Sequence, residues 1–148
     1  MDDEAWMRKA IALAHKAEEL GEVPVGAIIV KDNQCVGEGF NLPIKNNDST
    51  AHAEIMAIRA AGQQLNNYRL VETTLFVTLE PCVMCMGAIQ HARIKRIVFG
   101  ALDEKRGAVC SALTLTKADY TNHHVEWKGE VLANECSTLL TSFFKKRR

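Results

Sequence analysis

Apolar positions recur along the chain with two different periods, and the changes of period mark the elements. From the Asp2/Asp3 region to Leu20, the residues Trp6, Ala10, Leu13, Ala17 and Leu20 recur at helical spacing. The early acids suit the positive end of a helix dipole, and Gly21 supplies the stop. Ala27 to Val30 and Cys35 to Phe40 read as two strands around the turn Lys31-Asp32-Asn33-Gln34, a hairpin near the start of the fold. Asn41 to Thr50 is a polar loop containing Pro43, and an alanine-rich helix follows from about Ala51 to Gln64, with Ile55 and Ile58 for the core. Thr74 to Leu79 reads as a buried strand stopped by Glu80-Pro81. Cys82 to Ala92 reads as a third helix, with Pro81 where a first-turn proline is tolerated. Arg96 to Gly100 is a short apolar strand. Beyond Gly107 the pattern predicts a short helix and then a strand near Val125 to Trp127. Leu132 to Lys146 closes the chain as an amphipathic helix, with Leu132, Cys136, Leu139, Leu140 and Phe143 on one face. Helices alternating with strands after an opening hairpin predict an α/β sandwich with a mixed sheet.

Composition changes this picture little. At 148 residues, 47% hydrophobic and 24% charged, the chain is expected to form one domain over 1–148 with an ordinary core. It has no run of about eighteen apolar residues, so no membrane helix is expected. Its start, Met1-Asp2-Asp3-Glu4, is acidic where a secretory signal is basic and then apolar, which leads to the expectation of a cytoplasmic protein. Net charge is zero, yet four basic residues are gathered in Lys145-Lys146-Arg147-Arg148. Such an end can meet phosphate, or simply be a solvated terminus. Of the five cysteines, Cys82 and Cys85 form a tight Cys-x-x-Cys pair, while Cys35, Cys110 and Cys136 sit singly, as small core cysteines do. The odd count and the close pair favour metal binding or redox chemistry over a disulfide framework.

Two motifs carry chemistry: His52-Ala53-Glu54 and Pro81-Cys82-Val83-Met84-Cys85, each opening a predicted helix. One imidazole and two thiolates are ordinary zinc ligands, and no fourth ligand of that type is evident. Closed structural zinc sites take four protein ligands, whereas catalytic ones leave a position for water. Cys82 and Cys85, three apart, share a helix face. His52 and Glu54, two apart, can approach one ion only if it lies at the first turn of their helix. The metal is therefore expected between two helix N-termini, where unpaired N–H groups favour anions. Glu54 then has the place of a proton carrier beside an activated water. Taken singly, Cys-x-x-Cys is as easily redox or structural, and His-x-Glu says almost nothing. Together, with proline before the first cysteine, they match the signature already established for zinc deaminases, so the mapping is recognition of a described pattern.

Through these residues the chain resembles the cytidine deaminase superfamily and, within it, the bacterial tRNA-specific adenosine deaminases. The likeness is carried by Glu22-Val23-Pro24-Val25-Gly26-Ala27, Gly37-Glu38-Gly39-Phe40-Asn41, Thr50-Ala51-His52-Ala53-Glu54-Ile55-Met56-Ala57, Tyr68-Arg69-Leu70, and Thr78-Leu79-Glu80-Pro81-Cys82-Val83-Met84-Cys85. Arg93-Ile94 and Val98-Phe99-Gly100-Ala101 complete the central match, and Met86 and Leu102 depart from it. The resemblance implies a three-layer α/β/α sandwich with a central mixed five-stranded sheet, a homodimer, and one zinc ion per subunit on His52, Cys82 and Cys85. It further implies Glu54 as the proton carrier and a tRNA anticodon stem-loop as partner, with adenosine converted to inosine at the wobble position. It places Asn41 on the target base, Asp103 and Lys105 in an RNA-facing loop, and Phe144, Lys145 and Arg147 near the anticodon loop. Asn41 could equally be a turn asparagine satisfying backbone, and one of Phe143 and Phe144 is expected in the core. Asn122-His123 resembles the same family; His15, His91, His123 and His124 are expected as structural or surface histidines, His123 being the best suited of the four to an RNA contact. A free nucleobase or nucleoside deaminase acting on cytosine or guanine would share every metal residue. A non-catalytic, zinc-stabilised RNA-binding module would leave Glu54 without a task.

Overall fold

In the computed structural model, which describes residues 1–117 and 123–147, β-branched and aromatic residues alternate across a five-stranded sheet. The strands are β1 (Gly26–Lys31), β2 (Gln34–Phe40), β3 (Thr74–Leu79), β4 (Arg96–Ala101) and β5 (Glu126–Lys128). Their order is β2-β1-β3-β4-β5, antiparallel through the first three and parallel from β3 to β5, so the mixed sheet expected from the pattern is present. Period-two alternation sends Ile28, Val30, Phe76 and Val98 to one face and Ala27, Ile29, Leu75, Val77, Ile97 and Phe99 to the other. The first set packs on Trp6, Met7, Ala10 and Leu13 of α1 (Asp3–Glu19) and on Cys136 of α4 (Ala133–Lys146). The second packs on Ala53, Ala57 and Ala61 of α2 (Ala53–Leu65) and on Met86 and Ile89 of α3 (Val83–His91). The result is the three-layer α/β/α sandwich.

Local chemistry explains the joints. Asp2 caps α1, its carboxylate accepting from Ala5 N at 2.8 Å, and Gly21 follows the helix with φ +78°. Asp32 and Asn33, at φ 51° and 58°, form the two-residue turn whose twist suits the β1–β2 hairpin. The short helix expected beyond Gly107 is a single 3-10 turn, Leu115–Lys117. Leu132 is the N-cap of α4, in the left-handed region at φ 55°, instead of its first helical residue. Cys136 is buried as expected, but Cys35 is exposed, because it stands on the edge strand β2 and faces away from α2. Asn122 and Arg148 lie outside the described residues.

One contact fixes α2 against the sheet. A Cβ on Gly39 would lie 2.4 Å from Ala53 O and 2.5 Å from Ala57 N, and one on Gly37 2.6 Å from Ala57 O. The helix backbone rests directly on β2, with Ala53, Ala57 and Ala61 as its small face. Gly39→Ala is therefore expected to cost roughly 1–3 kcal/mol through overpacking. Gly87→Ala, in α3 with nothing within 4 Å of the added carbon, is expected to stabilise by about 0.5–1 kcal/mol through backbone entropy. Paired denaturant melts check both signs.

Candidate active site

The parallel strands β3 and β4 end side by side, and their carboxyl ends open toward the loops that carry the motifs, the usual place for a site in such a sheet. After β3 the chain runs through Glu80 and Pro81 to Cys82, the N-cap of α3, and Cys85 follows in the first turn. His52 is the N-cap of α2, and Glu54 lies in that helix's first turn. Neither residue uses its side chain as a helix cap, and imidazole and thiol face each other. Pro81 precedes the cap of α3, just outside the helix. Asn41, at the end of β2, does the capping for α2: its side-chain oxygen accepts from Ala53 N at 2.7 Å.

These placements bring His52, Cys82 and Cys85 together, their ligand atoms all within 4.8 Å of one another. His52 Nδ1 lies 3.6 Å from each sulfur. Tetrahedral zinc with bonds of about 2.3 Å to sulfur and 2.0–2.1 Å to nitrogen requires a sulfur–nitrogen separation of about 3.5–3.6 Å. The donors thus fit a zinc ion without rearrangement. Among the described residues the group has three members, which leaves a coordination position for water.

The electrostatics ask for a cation. The Cys82 thiol is pulled down to about 3 by a hydrogen bond from Cys85 and then by one with His52. The same arrangement pushes the Cys85 thiol up, first through Cys82 and then through burial, and raises His52 through its bond to Cys82. Glu54 is 4% exposed. Burial first, and then the nearby Cys82 charge, raise its carboxyl to about 7. Without a metal the cluster keeps protons that a divalent ion would displace.

Above this floor opens a cavity of about 850 Å³, a size suited to a small organic ligand. Val23, Val25, Leu79 and Leu140 form apolar walls, and the loop from Leu102 to Arg106 forms the rim with Phe144. Asn41, Asp103, Lys105 and Phe144 are therefore gathered with the metal donors. Asn41's carbonyl is committed to α2, which leaves its NH2 as the group it can offer to a base. Asp103 is bound into its own loop, accepting from Arg106 N at 3.1 Å through Oδ1. Lys145 lies in an adjoining groove shared with Leu140, Thr141 and Phe144. Arg147 is not gathered with them: its guanidinium donates to Gly21 O at 3.2 Å and stacks 4.3 Å from the Phe143 ring centre, so α1 and α4 hold it away from the cavity. Phe143 is the core phenylalanine, buried, and Phe144 is half exposed. His123, instead of facing the rim, meets Ile94 O at 2.6 Å, near the start of β4 and at the opposite end of the sheet.

Two buried carboxylates are not singled out by the sequence pattern. Glu22 accepts from Ile44 N at 3.2 Å and Lys45 N at 2.8 Å and so holds the loop before α2. Glu80 gathers the loop after β4. Their one signal was a charged residue set against a buried apolar strand, within stretches that carried the resemblance.

Comparison with known proteins agrees with this geometry. The profile of the cytidine and deoxycytidylate deaminase zinc-binding region matches residues 1–101. A tRNA-specific adenosine deaminase of Haemophilus influenzae is 54% identical over 147 residues, 99% of this chain and 85% of that one. The protein of the same description from Streptococcus pyogenes serotype M1 is 41% identical, over 97% of this chain and 84% of its own. A solved structure from work on A-to-I editing by tRNA:A34 deaminases at the wobble position superposes with a TM-score of 0.88 at 40% identity, over 90% of this chain and 97% of that one. A guanine deaminase from Nitrosomonas europaea shares the fold, with a TM-score of 0.77 at 21% identity, over 95% of this chain and 83% of that one. With matches of this extent, the chain belongs to the tRNA-specific adenosine deaminases, within the cytidine and deoxycytidylate deaminase zinc-binding family.

Proposed function

We propose that the protein hydrolyses adenosine to inosine at the wobble position of a tRNA anticodon, as a cytoplasmic homodimer whose residues 1–148 form one deaminase domain per subunit. The observation that carries the reading is a three-donor metal group beside a buried carboxylate, at the floor of a cavity rimmed by Lys105 and Arg106. His52, Cys82 and Cys85 would hold a zinc ion, which when bound would supply a Lewis acid able to bring the pKa of water to roughly 7. Glu54 takes a proton from the attacking water as oxygen bonds to C6, and passes it to ring nitrogen N1. The water's second proton travels by the same carboxylate to the amino group, the C6–N bond breaks, and ammonia leaves. The target base must leave its stack to reach this depth, which costs least in a single-stranded loop. Asn41 offers its NH2 to the base, Phe144 a ring on which a neighbouring base can stack, and Lys145 a cation for the backbone. No helix among the described residues is long and apolar enough to cross a membrane.

Zinc-loaded protein incubated with a tRNA carrying wobble adenosine is expected to yield inosine at that position, read by nucleoside digestion and mass analysis. Free adenosine, cytosine and guanine are expected to remain unchanged. Turnover of a free base with no inosine in the tRNA would move the function to nucleobase chemistry on the same metal site.

A further inference from the structure

Glu80 is buried, 2% exposed, and lines the cavity. Its Oε2 accepts from three successive amides, Val109 N at 3.1 Å, Cys110 N at 2.9 Å and Ser111 N at 3.0 Å. Its Oε1 accepts from Asp103 N at 3.1 Å and from the Ser111 hydroxyl in a short bond. The same residue's backbone N donates to Ala101 O at 2.9 Å, and Pro81 O accepts from Ala108 N at 2.8 Å. Gly107 packs so close that a Cβ there would lie 2.3 Å from the carboxylate. One side chain thus ties the segment leading into Cys82 to both ends of the loop after β4.

That loop carries Lys105 and Arg106 to the rim of the cavity. Neither takes part in an ion pair among the described residues, so their charges remain for a ligand. Of the three metal donors, His52 comes from α2 and Cys85 from within α3, while Cys82, two residues beyond Glu80, is the cap of that helix. We infer that Glu80 is a positioning residue for RNA binding: by gathering the amides of residues 103–111 it fixes the cationic rim over the metal floor. The inference rests on the tRNA function proposed for this site.

Three substitutions test it from both sides of the contact. Ser111→Ala removes one donor and little volume, Gly107→Ala wedges the loop from the carboxylate, and Glu80→Gln turns an NH2 toward donors. A hydrogen bond to a charged group is worth about a factor of ten or more. The KM for tRNA is therefore expected to rise about three- to tenfold in Ser111→Ala and Gly107→Ala, and more in Glu80→Gln. In Ser111→Ala and Gly107→Ala, kcat and one zinc per chain are expected to persist. A loss of general stability would not alter the salt response, but a displaced cationic rim would. The slope of log KM against log salt is expected to become shallower, by about 0.7 for each phosphate of a single strand that the rim no longer neutralises. Unchanged KM and slope in Ser111→Ala and Gly107→Ala, or a fall in zinc content and kcat at constant KM, would overturn the inference. A wild-type protein that makes no inosine in the same assay would instead overturn the reading of function on which it rests.

Discussion

Glu54→Gln is expected to lower kcat by about 10²–10⁴-fold while leaving one zinc per chain and the tRNA KM within a few fold. The side chain lies in the first turn of α2, two residues beyond His52, with its carboxylate at the buried floor of the cavity. Glutamine keeps the shape and cannot take a proton from water, so the loss falls on the chemical step. Burial raises the carboxyl to about 7 in the metal-free site, and a bound dication would bring it back down. Activity needs the ionised form, so kcat/KM is expected to hold at neutral pH and fall as the medium becomes acidic. Over the pH range in which one zinc per chain is retained, that acid limb disappears in Glu54→Gln. Steady-state kinetics across pH, with metal analysis of both proteins, checks each part.

Removing the metal is expected to have the second large effect: complete loss of deamination and a fall in Tm on the order of 10 °C. A ligand present at a thousand times its Kd contributes about 4.1 kcal/mol, and for a chain of this size each 1 kcal/mol moves Tm by about 2–4 °C. The three donors lie at the starts of two helices, so a bound ion would join α2 to α3 directly. Binding must displace protons from Cys85 and from His52, whose values lie above their ordinary ones. Zinc retention therefore weakens as pH falls, and strengthens as it rises through the raised imidazole range. Calorimetry of chelated, untreated and zinc-restored protein over pH 5 to 8 measures this, and recovery of Tm with activity is the expected result.

How much of this was legible in the chain depends on the range of the interaction that fixes each part. The strands and four helices follow from local alternation and helical spacing, so Ile28 to Val30, Leu75 to Val77 and Ile97 to Phe99 gave their faces away. The donor triad was legible because its spacing within each motif is short and its chemistry narrow. The contacts of Arg147 and His123 were not legible because their partners, Gly21 O and Ile94 O, are backbone atoms 126 and 29 residues away, which no residue pattern announces. The same holds for Glu80, whose donors include amides at 109, 110 and 111. A backbone amide has no letter in the sequence. Leu132 broke the helical pattern for a different reason: its apolar side chain matched the face of α4 while its backbone had already turned away.

The floor and the rim of the cavity are held in different ways. The floor rests on a helix seated against Gly37 and Gly39, where even a methyl group collides with backbone. The rim hangs from hydrogen bonds to one carboxylate, and its own side chains, Leu102, Lys105 and Arg106, are exposed. Mutation can therefore exchange the reader while the chemistry beneath it stays put. A scaffold divided in this way lets the bound partner be changed at small cost to turnover.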